Sequence, residues 1–235
     1  MSGPASEALA GGADRGRATG LFGAVLAGGG STRFGRDKSR VEVSGRSMAG
    51  RAFDALGPWV DVRGVVVAAD APPGRAPGAP EAATRRDSRP GLGPLEGLRV
   101  ALEWAREEGC EGVVVLACDL PLVDATVVGA LVRAWRERGT EAPDGVVPVV
   151  AGRAQPLAAV YATSVLEAVT ERLARGVRSV TAVLGELRVA RIPTGSDGLP
   201  TDRFLNVNTP GDARRARDAL EARRRGKEGA VEGDG

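Results

Sequence analysis

One stretch near the start of the chain holds most of its chemical potential: Leu26-Ala27-Gly28-Gly29-Gly30-Ser31-Thr32-Arg33-Phe34-Gly35-Arg36-Asp37-Lys38. Its three consecutive glycines remove side chains where backbone N–H groups can close around a phosphate. Arg33 and Lys38 add two fixed cations that a folded-back loop can bring onto one anion. The dinucleotide fingerprint does not fit, because Arg33 stands where its third glycine belongs. The P-loop does not fit either, because Gly35 is followed by Arg36-Asp37 rather than by lysine and a hydroxyl residue. What remains is a glycine-rich anion loop with its own arginine and lysine. Lys38 is singular: of 32 basic residues only Lys38 and Lys227 are lysines. A lysine ammonium is a compact point charge that a planar guanidinium does not mimic on a phosphate. An ordinary surface position would also accommodate it.

Four further polar residues have chemistry to offer. Asp119 ends the most apolar run of the chain, Val113 to Cys118. A carboxylate there, beside a triphosphate, suits Mg²⁺, which takes one or two carboxylates plus phosphate oxygens. It is also a good N-cap for a helix starting near Pro121 or Asp124. Asp87 precedes Pro90-Gly91 and could serve a ligand or an Asx-turn. Asn206 and Asn208, two apart, share one face of an expected strand end, where their amides could bind metal-held phosphate oxygens or cap the strand.

The elements that must position these groups follow from periodicity. Apolar runs at Leu21–Leu26, Val62–Ala69 and Gly112–Cys118 predict buried strands. Arg40–Val43 is short and alternating. Helical spacing predicts helices over Ser47–Leu56, from Pro94 to about Glu108, and over Ala125–Arg138, closed by Gly57-Pro58, Gly109 and Gly139. Ala71–Ala83 reads as a loop. This alternation of strand and helix predicts an α/β fold, a Rossmann-like three-layer α/β/α arrangement on a mostly parallel sheet. In the C-terminal half, strands at Gly145–Val150 and Pro156–Tyr161 suggest an antiparallel part joined as a hairpin. Helices at Ser164–Arg175 and about Ser179–Leu187 follow, then a strand at Arg188–Ile192 and a strand end at Phe204–Asn208. Thr209, Pro210 and Asp212 open a last helix as N-cap, first residue and capping-box partner. In such a sheet ligands bind beyond the carboxyl ends of the strands, which gathers the glycine loop, Asp87 and Asp119 at one edge.

The motif Leu-Ala-Gly-Gly-x-x-x-Arg-Phe-Gly-x-Asp-Lys over Leu26–Lys38 resembles the signature loop of the molybdenum cofactor guanylyltransferases. Cys118-Asp119-Leu120-Pro121, Gly93-Pro94-Leu95-x-Gly97 and Asn206-Val207-Asn208-Thr209-Pro210 resemble further motifs of that family, in the same order. Arg153-Ala154-Gln155-Pro156 is similar to its His/Gln-Pro element on the acceptor side. The resemblance implies the nucleotide-diphospho-sugar transferase type of fold. It implies transfer of GMP from GTP to the phosphate of the molybdenum-molybdopterin cofactor, with release of pyrophosphate. On that footing Leu26, Ala27, Gly28, Gly29, Lys38, Asp87 and Asp119 bind GTP. Lys38, Arg33 and Asp119 are catalytic, and Asp119 holds Mg²⁺. Asn206, Asn208 and Gln155 lie on the acceptor or metal side. Partner molybdoenzymes or chaperones would receive the product. The family's asparagine after the second strand is missing: Val67 is followed by Ala68-Ala69-Asp70, so either Asp70 substitutes or the contact is absent. Two alternatives remain. One is a cytidylyltransferase on the same cofactor, whose members tend to carry Ala-Ala-Gly where this chain has Ala27-Gly28-Gly29. The other is a nucleotide-binding relative without catalysis.

Composition bounds the rest. With 235 residues and 43% hydrophobic content, one domain over 21–222 is expected, between disordered tails at 1–20 and 223–235. Aromatic residues make up only 3%, so Val, Leu and Ala must build the core. The absence of histidine excludes Ser-His-Asp triads and histidine metal ligands. A net charge of +2 argues against a nucleic-acid partner. No apolar run reaches membrane-helix length and none begins the chain as a signal would, so a cytoplasmic protein is expected. The two cysteines have no metal spacing, which agrees with a reducing compartment.

Overall fold

The computed structural model describes residues 20–28, 38–71, 76, 78–79, 81–88, 90–139, 143–195 and 198–231. In chain order the strands are β1 (Leu21–Ala27), β2 (Glu42–Val43), β3 (Arg46–Ser47), β4 (Val62–Val67), β5 (Ala83–Arg86), β6 (Gly112–Ala117), β7 (Gly145–Val150), β8 (Arg153–Ala154), β9 (Ala158–Ala162) and β10 (Val189–Pro193). The helices are α1 (Met48–Leu56), α2 (Pro94–Glu107), α3 (Ala125–Arg136), α4 (Leu166–Ala174), α5 (Val180–Leu184) and α6 (Pro210–Val231).

The main sheet runs β10-β7-β9-β6-β1-β4-β5, with β8 paired to β7. β6, β1, β4 and β5 are mutually parallel, and β9 is antiparallel to both β6 and β7. β1, an interior strand beside the central β6, is buried on both faces, and its residues alternate between two cores. Leu21 and Val25 join α1 and α3 through Phe53, Leu56, Leu131 and Trp135. Phe22, Ala24 and Leu26 join α2, α4 and α5 through Leu98, Trp104, Val169 and Val183. This is the expected three-layer α/β/α class. Trp104 lies flat where a Cβ on Gly64 would stand, so only glycine in β4 lets α2 approach this closely.

Four local differences have physical causes. β5 is an edge strand of Ala-Thr-Arg-Arg with no apolar alternation to announce it. It forms because β4 offers a free parallel edge, and Arg85 covers Trp104 at 4.6 Å. The hairpin partner of β7 is β8, across the Ala151-Gly152 turn with positive φ at both residues. The longer strand β9 then inserts between β7 and β6. Phe204–Asn208 is not a strand: a 3-10 turn covers Thr201–Phe204 and an extended segment follows, tied by Val207 N–H donating to the Asp119 carbonyl at 2.8 Å. Finally, α6 continues beyond residue 222 to Val231. Its first turns pack Ala213 and Ala216 against Val41, Met48, Leu122 and Val207, and an Ala- and Arg-rich sequence sustains the helix beyond them.

None of the helices among the described residues is long and apolar enough to cross a membrane.

Candidate active site

In-register pairing of β1 with β4 and β6 brings Ala27, Val67 and Ala117 to one sheet edge. β5 ends there too, and the Asp87 N–H donates to the Val67 carbonyl at 2.9 Å. The chain leaves all four strands at this edge, through Gly28, Ala68, Asp87 and Cys118-Asp119. Between these exits lies a cavity of about 660 Å³. Its walls include Leu26, Ala27, Gly28, Lys38, Asp87 and Asp119, all chosen from sequence, and Asn208. Gly29 and Arg33 lie outside the described residues.

Lys38 is the hub. Its ammonium donates to Asp119 Oδ2 at 3.1 Å and to Asn208 Oδ1 at 2.6 Å. The three residues come from a 3-10 turn, from the loop after β6 and from the segment before α6, 81 and 170 positions apart in sequence. The Lys38 side chain is 15% exposed and that of Asp119 30%, so the pair is shielded yet open to a ligand. Asp119 does not cap α3. That role falls to Asp124, whose carboxylate accepts from the Thr126 and Val127 N–H groups.

Asn208 is set by the start of α6. Asp212 accepts from the backbone N–H groups of Asn208 at 2.9 Å and Thr209 at 2.8 Å, and its own N–H donates to Thr209 Oγ1. The expected capping box therefore also locks the residue that meets Lys38. Val207 is buried while Asn206 and Asn208 are exposed, so the alternation survives without a strand. Asn206, however, is not part of the cavity wall. Gln155 is not brought in either: its N–H donates to the Pro148 carbonyl and its carbonyl accepts from Ala158, and Leu157 takes the wall position instead.

At the opposite end, Asp87 points a buried Oδ1 that has no hydrogen-bond partner. Burial, then the like charge of Glu96, push its carboxyl up to about 6, with Arg99 opposing and Asp70 adding. Glu96, the variable position of Gly93-Pro94-Leu95-x-Gly97 in the sequence, is 2% exposed. It accepts from Arg99 Nε and Nη2, both at 2.9 Å, and from the Ser88 N–H at 3.1 Å. Burial alone would raise the Glu96 carboxyl, but these hydrogen bonds outweigh it and hold it below the ordinary range. Glu96 thus ties the Asp87-Ser88 turn to α2. A Cβ on Gly97 would stand 3.4 Å from Leu26 and 3.8 Å from Asp87 Oδ1, which narrows the slot between β1 and that carboxylate. Ser39, buried beside Lys38, and Asp70 also face the cavity.

Among the described residues no three acidic or thiol side chains form a metal cage. Mg²⁺ does not require one when phosphate oxygens complete its shell. The Asp119 carboxylate and the Asn208 amide oxygen already converge on one positive centre, the Lys38 ammonium, and both are the hard oxygen donors such an ion takes. The donor set fits.

A cavity at the carboxyl edge of the parallel strands, bounded by Gly28, a lysine and three aspartates, agrees with the class that the family match gives: a nucleotidyltransferase. The family model that matches residues 23–190 is the MobA-like NTP transferase domain, and the chain belongs to that family. It is 36% identical over 206 residues to a probable molybdenum cofactor guanylyltransferase of Opitutus terrae, covering 85% of this chain and 96% of that protein. It is 32% identical over 204 residues to the molybdenum cofactor guanylyltransferase of Rhodobacter capsulatus, with the same coverage of 85% and 96%. Among solved structures, the molybdopterin-guanine dinucleotide biosynthesis protein A of Archaeoglobus fulgidus superposes with a TM-score of 0.63. That match has 23% identity and covers 86% of this chain and 99% of the other, a likeness of fold.

Proposed function

We propose that this chain transfers GMP from GTP to the terminal phosphate of the molybdenum-molybdopterin cofactor, in the cytoplasm, and releases pyrophosphate. The observation that carries this reading is the Lys38–Asp119–Asn208 cluster at the mouth of the cavity. The names of the relatives, which are guanylyltransferases of that cofactor, supply the nucleotide and the acceptor.

An oxygen of the acceptor phosphate attacks the α-phosphorus of GTP in line. The bond from that phosphorus to the β-phosphate bridging oxygen breaks, and the pyrophosphate leaves with the electron pair. The acceptor is already an anion, so no base has to remove a proton, which suits a chain without histidine. Asp119 and Asn208 would hold Mg²⁺, which when bound neutralises the triphosphate. Lys38 keeps these two oxygen donors placed and turns its ammonium to the phosphates. Catalysis is then positioning plus charge neutralisation. Asp87 accepts hydrogen bonds from the guanosine part, at the end of the cavity away from Lys38. The Ala27-Gly28-Gly29 step, where the cytidylyltransferases of this cofactor tend to carry Ala-Ala-Gly, favours GTP over CTP. Partner molybdoenzymes or their chaperones would take the product.

Calorimetric titration of GTP, CTP, ATP and UTP with and without Mg²⁺, on wild type and Asp119→Asn, tests this. GTP alone should bind with Mg²⁺ dependence, and the variant should lose that dependence and its transfer activity while melting like wild type. Tight CTP binding would overturn the base assignment. Unchanged Mg²⁺ dependence in the variant would overturn the metal assignment.

A further inference from the structure

A second cleft, of about 500 Å³, opens on the far side of the loop that follows Asp119. Five arginines from four elements line it: Arg46 of β3, Arg51 of α1, Arg203 of the 3-10 turn, and Arg223 and Arg224 of α6. Three have carboxylate partners. Arg46 forms a two-pronged pair with Asp54 at 2.9 and 2.8 Å, Arg203 pairs with Asp124, and Arg223 pairs with Asp202. Arg51 and Arg224 have no carboxylate within ion-pair distance among the described residues. Arg51 is instead pinned by the backbone: its Nε donates to the Val43 carbonyl at 2.8 Å and its Nη2 to the Ser44 carbonyl at 3.3 Å. Burial, and then the charge of Arg224, pull the Arg51 guanidinium below its ordinary range. Burial and Arg223 do the same to Arg203. Crowding of like charge in a half-buried cleft is relieved by an anion, and a planar guanidinium fork matches phosphate oxygens.

We propose that this cleft is a second anion site, where Arg51 and Arg224 grip a phosphoryl dianion separately from the nucleotide cavity. Arg51 is the preorganised member, since its guanidinium is already fixed by two carbonyls. Arg224, exposed on α6, closes from the other side. The ligand then bridges α1 and α6. The same packing unit, through Leu122, Val207, Ala213 and Ala216, seats the start of α6 and with it Asn208. Pro121 to Ala125, one wall of the cleft, continues directly from Asp119. Filling the cleft therefore steadies the two residues that meet Lys38.

The test is calorimetric titration of the full chain with inorganic phosphate, in chloride buffer at constant ionic strength. Wild type, Arg224→Ala, Arg51→Ala and Lys38→Ala are compared, with thermal melting as the check on folding. A saturable phosphate site should persist in Lys38→Ala and weaken about tenfold or more in Arg224→Ala and Arg51→Ala. GTP affinity should hold in Arg224→Ala. Loss of phosphate binding in Lys38→Ala with no change in Arg224→Ala would place the ion in the nucleotide cavity and overturn the proposal, as would the absence of saturable binding. Phenyl phosphate distinguishes the sources. Binding as tight as that of phosphate supports a phosphoryl group carried by a larger molecule, and exclusion supports the free ion. Failure of GTP to bind at all would refute the proposed transferase reading and leave this one standing.

Discussion

Asp87 provides the sharpest test of the nucleotide site, because its environment and its proposed task pull in opposite directions. Burial and the Glu96 charge push its carboxyl to about 6, from an ordinary 3.8. To accept hydrogen bonds from a nucleotide it must be ionised. At pH 7 about nine-tenths of the free protein has it ionised, and at pH 5 about one-tenth. If only the ionised form binds GTP, affinity falls about tenfold between those values. The triphosphate itself takes up a proton near this range, so the wild type alone does not isolate the effect. Asp87→Asn does, because it keeps the size of the side chain and removes its titration. The assay is GTP binding by calorimetry from pH 5 to pH 8 at fixed Mg²⁺. Wild type should lose affinity more steeply than Asp87→Asn, with the difference centred near pH 6. Stability should move the other way. The folded state holds this proton more tightly than the unfolded chain, so its contribution falls as pH rises from about 3.8 to 6, and nucleotide-free Asp87→Asn should melt higher than wild type at neutral pH. Identical pH profiles for the two proteins would refute the assignment of Asp87 to the nucleotide.

Further outcomes follow from the same geometry. Lys38→Ala removes the cation shared by Asp119 and Asn208, and steady-state kinetics should show a loss of about 10²-fold or more in kcat together with weaker GTP binding. Gly28→Ala turns the Ala27-Gly28-Gly29 step into the Ala-Ala-Gly that the cytidylyltransferases tend to carry, and competition binding should show GTP losing more affinity than CTP. Asp212→Ala opens the capping box and should cost about 1 kcal/mol in chemical denaturation. It should also reduce transfer activity beyond that, because the Asn208 N–H loses its acceptor. Asn206→Ala, by contrast, should leave GTP binding unchanged, since that side chain is not part of the cavity wall.

Much of this protein was legible in the residues. Buried parallel strands need continuous apolar runs, so β1, β4 and β6 announce themselves, and the helix that opens on Pro94 and stops at Gly109 does the same. Glycines without side chains, one of the chain's two lysines and an aspartate ending the most buried strand mark a phosphate site by chemistry alone. Local signals also gave the Thr209–Asp212 capping box, because all its partners lie within one turn.

What only the tertiary structure decided is everything that depends on partners distant in sequence. β5 has no apolar pattern and exists because β4 has an edge to fill. β9 enters between β6 and β7 because the sheet, not the hairpin turn, selects its neighbours. Asn206 and Asn208 are both exposed and indistinguishable in the chain, yet Asn208 is the one that reaches Lys38, since the Asp212 carboxylate at the start of α6 holds its backbone N–H. Glu96 looked like an interchangeable position in a motif. Its importance comes from burial beside Asp87 and from two forked hydrogen bonds to Arg99, and neither burial nor a neighbour's charge is written in the sequence. Sequence sets which residues have the chemistry, and packing sets which of them meet.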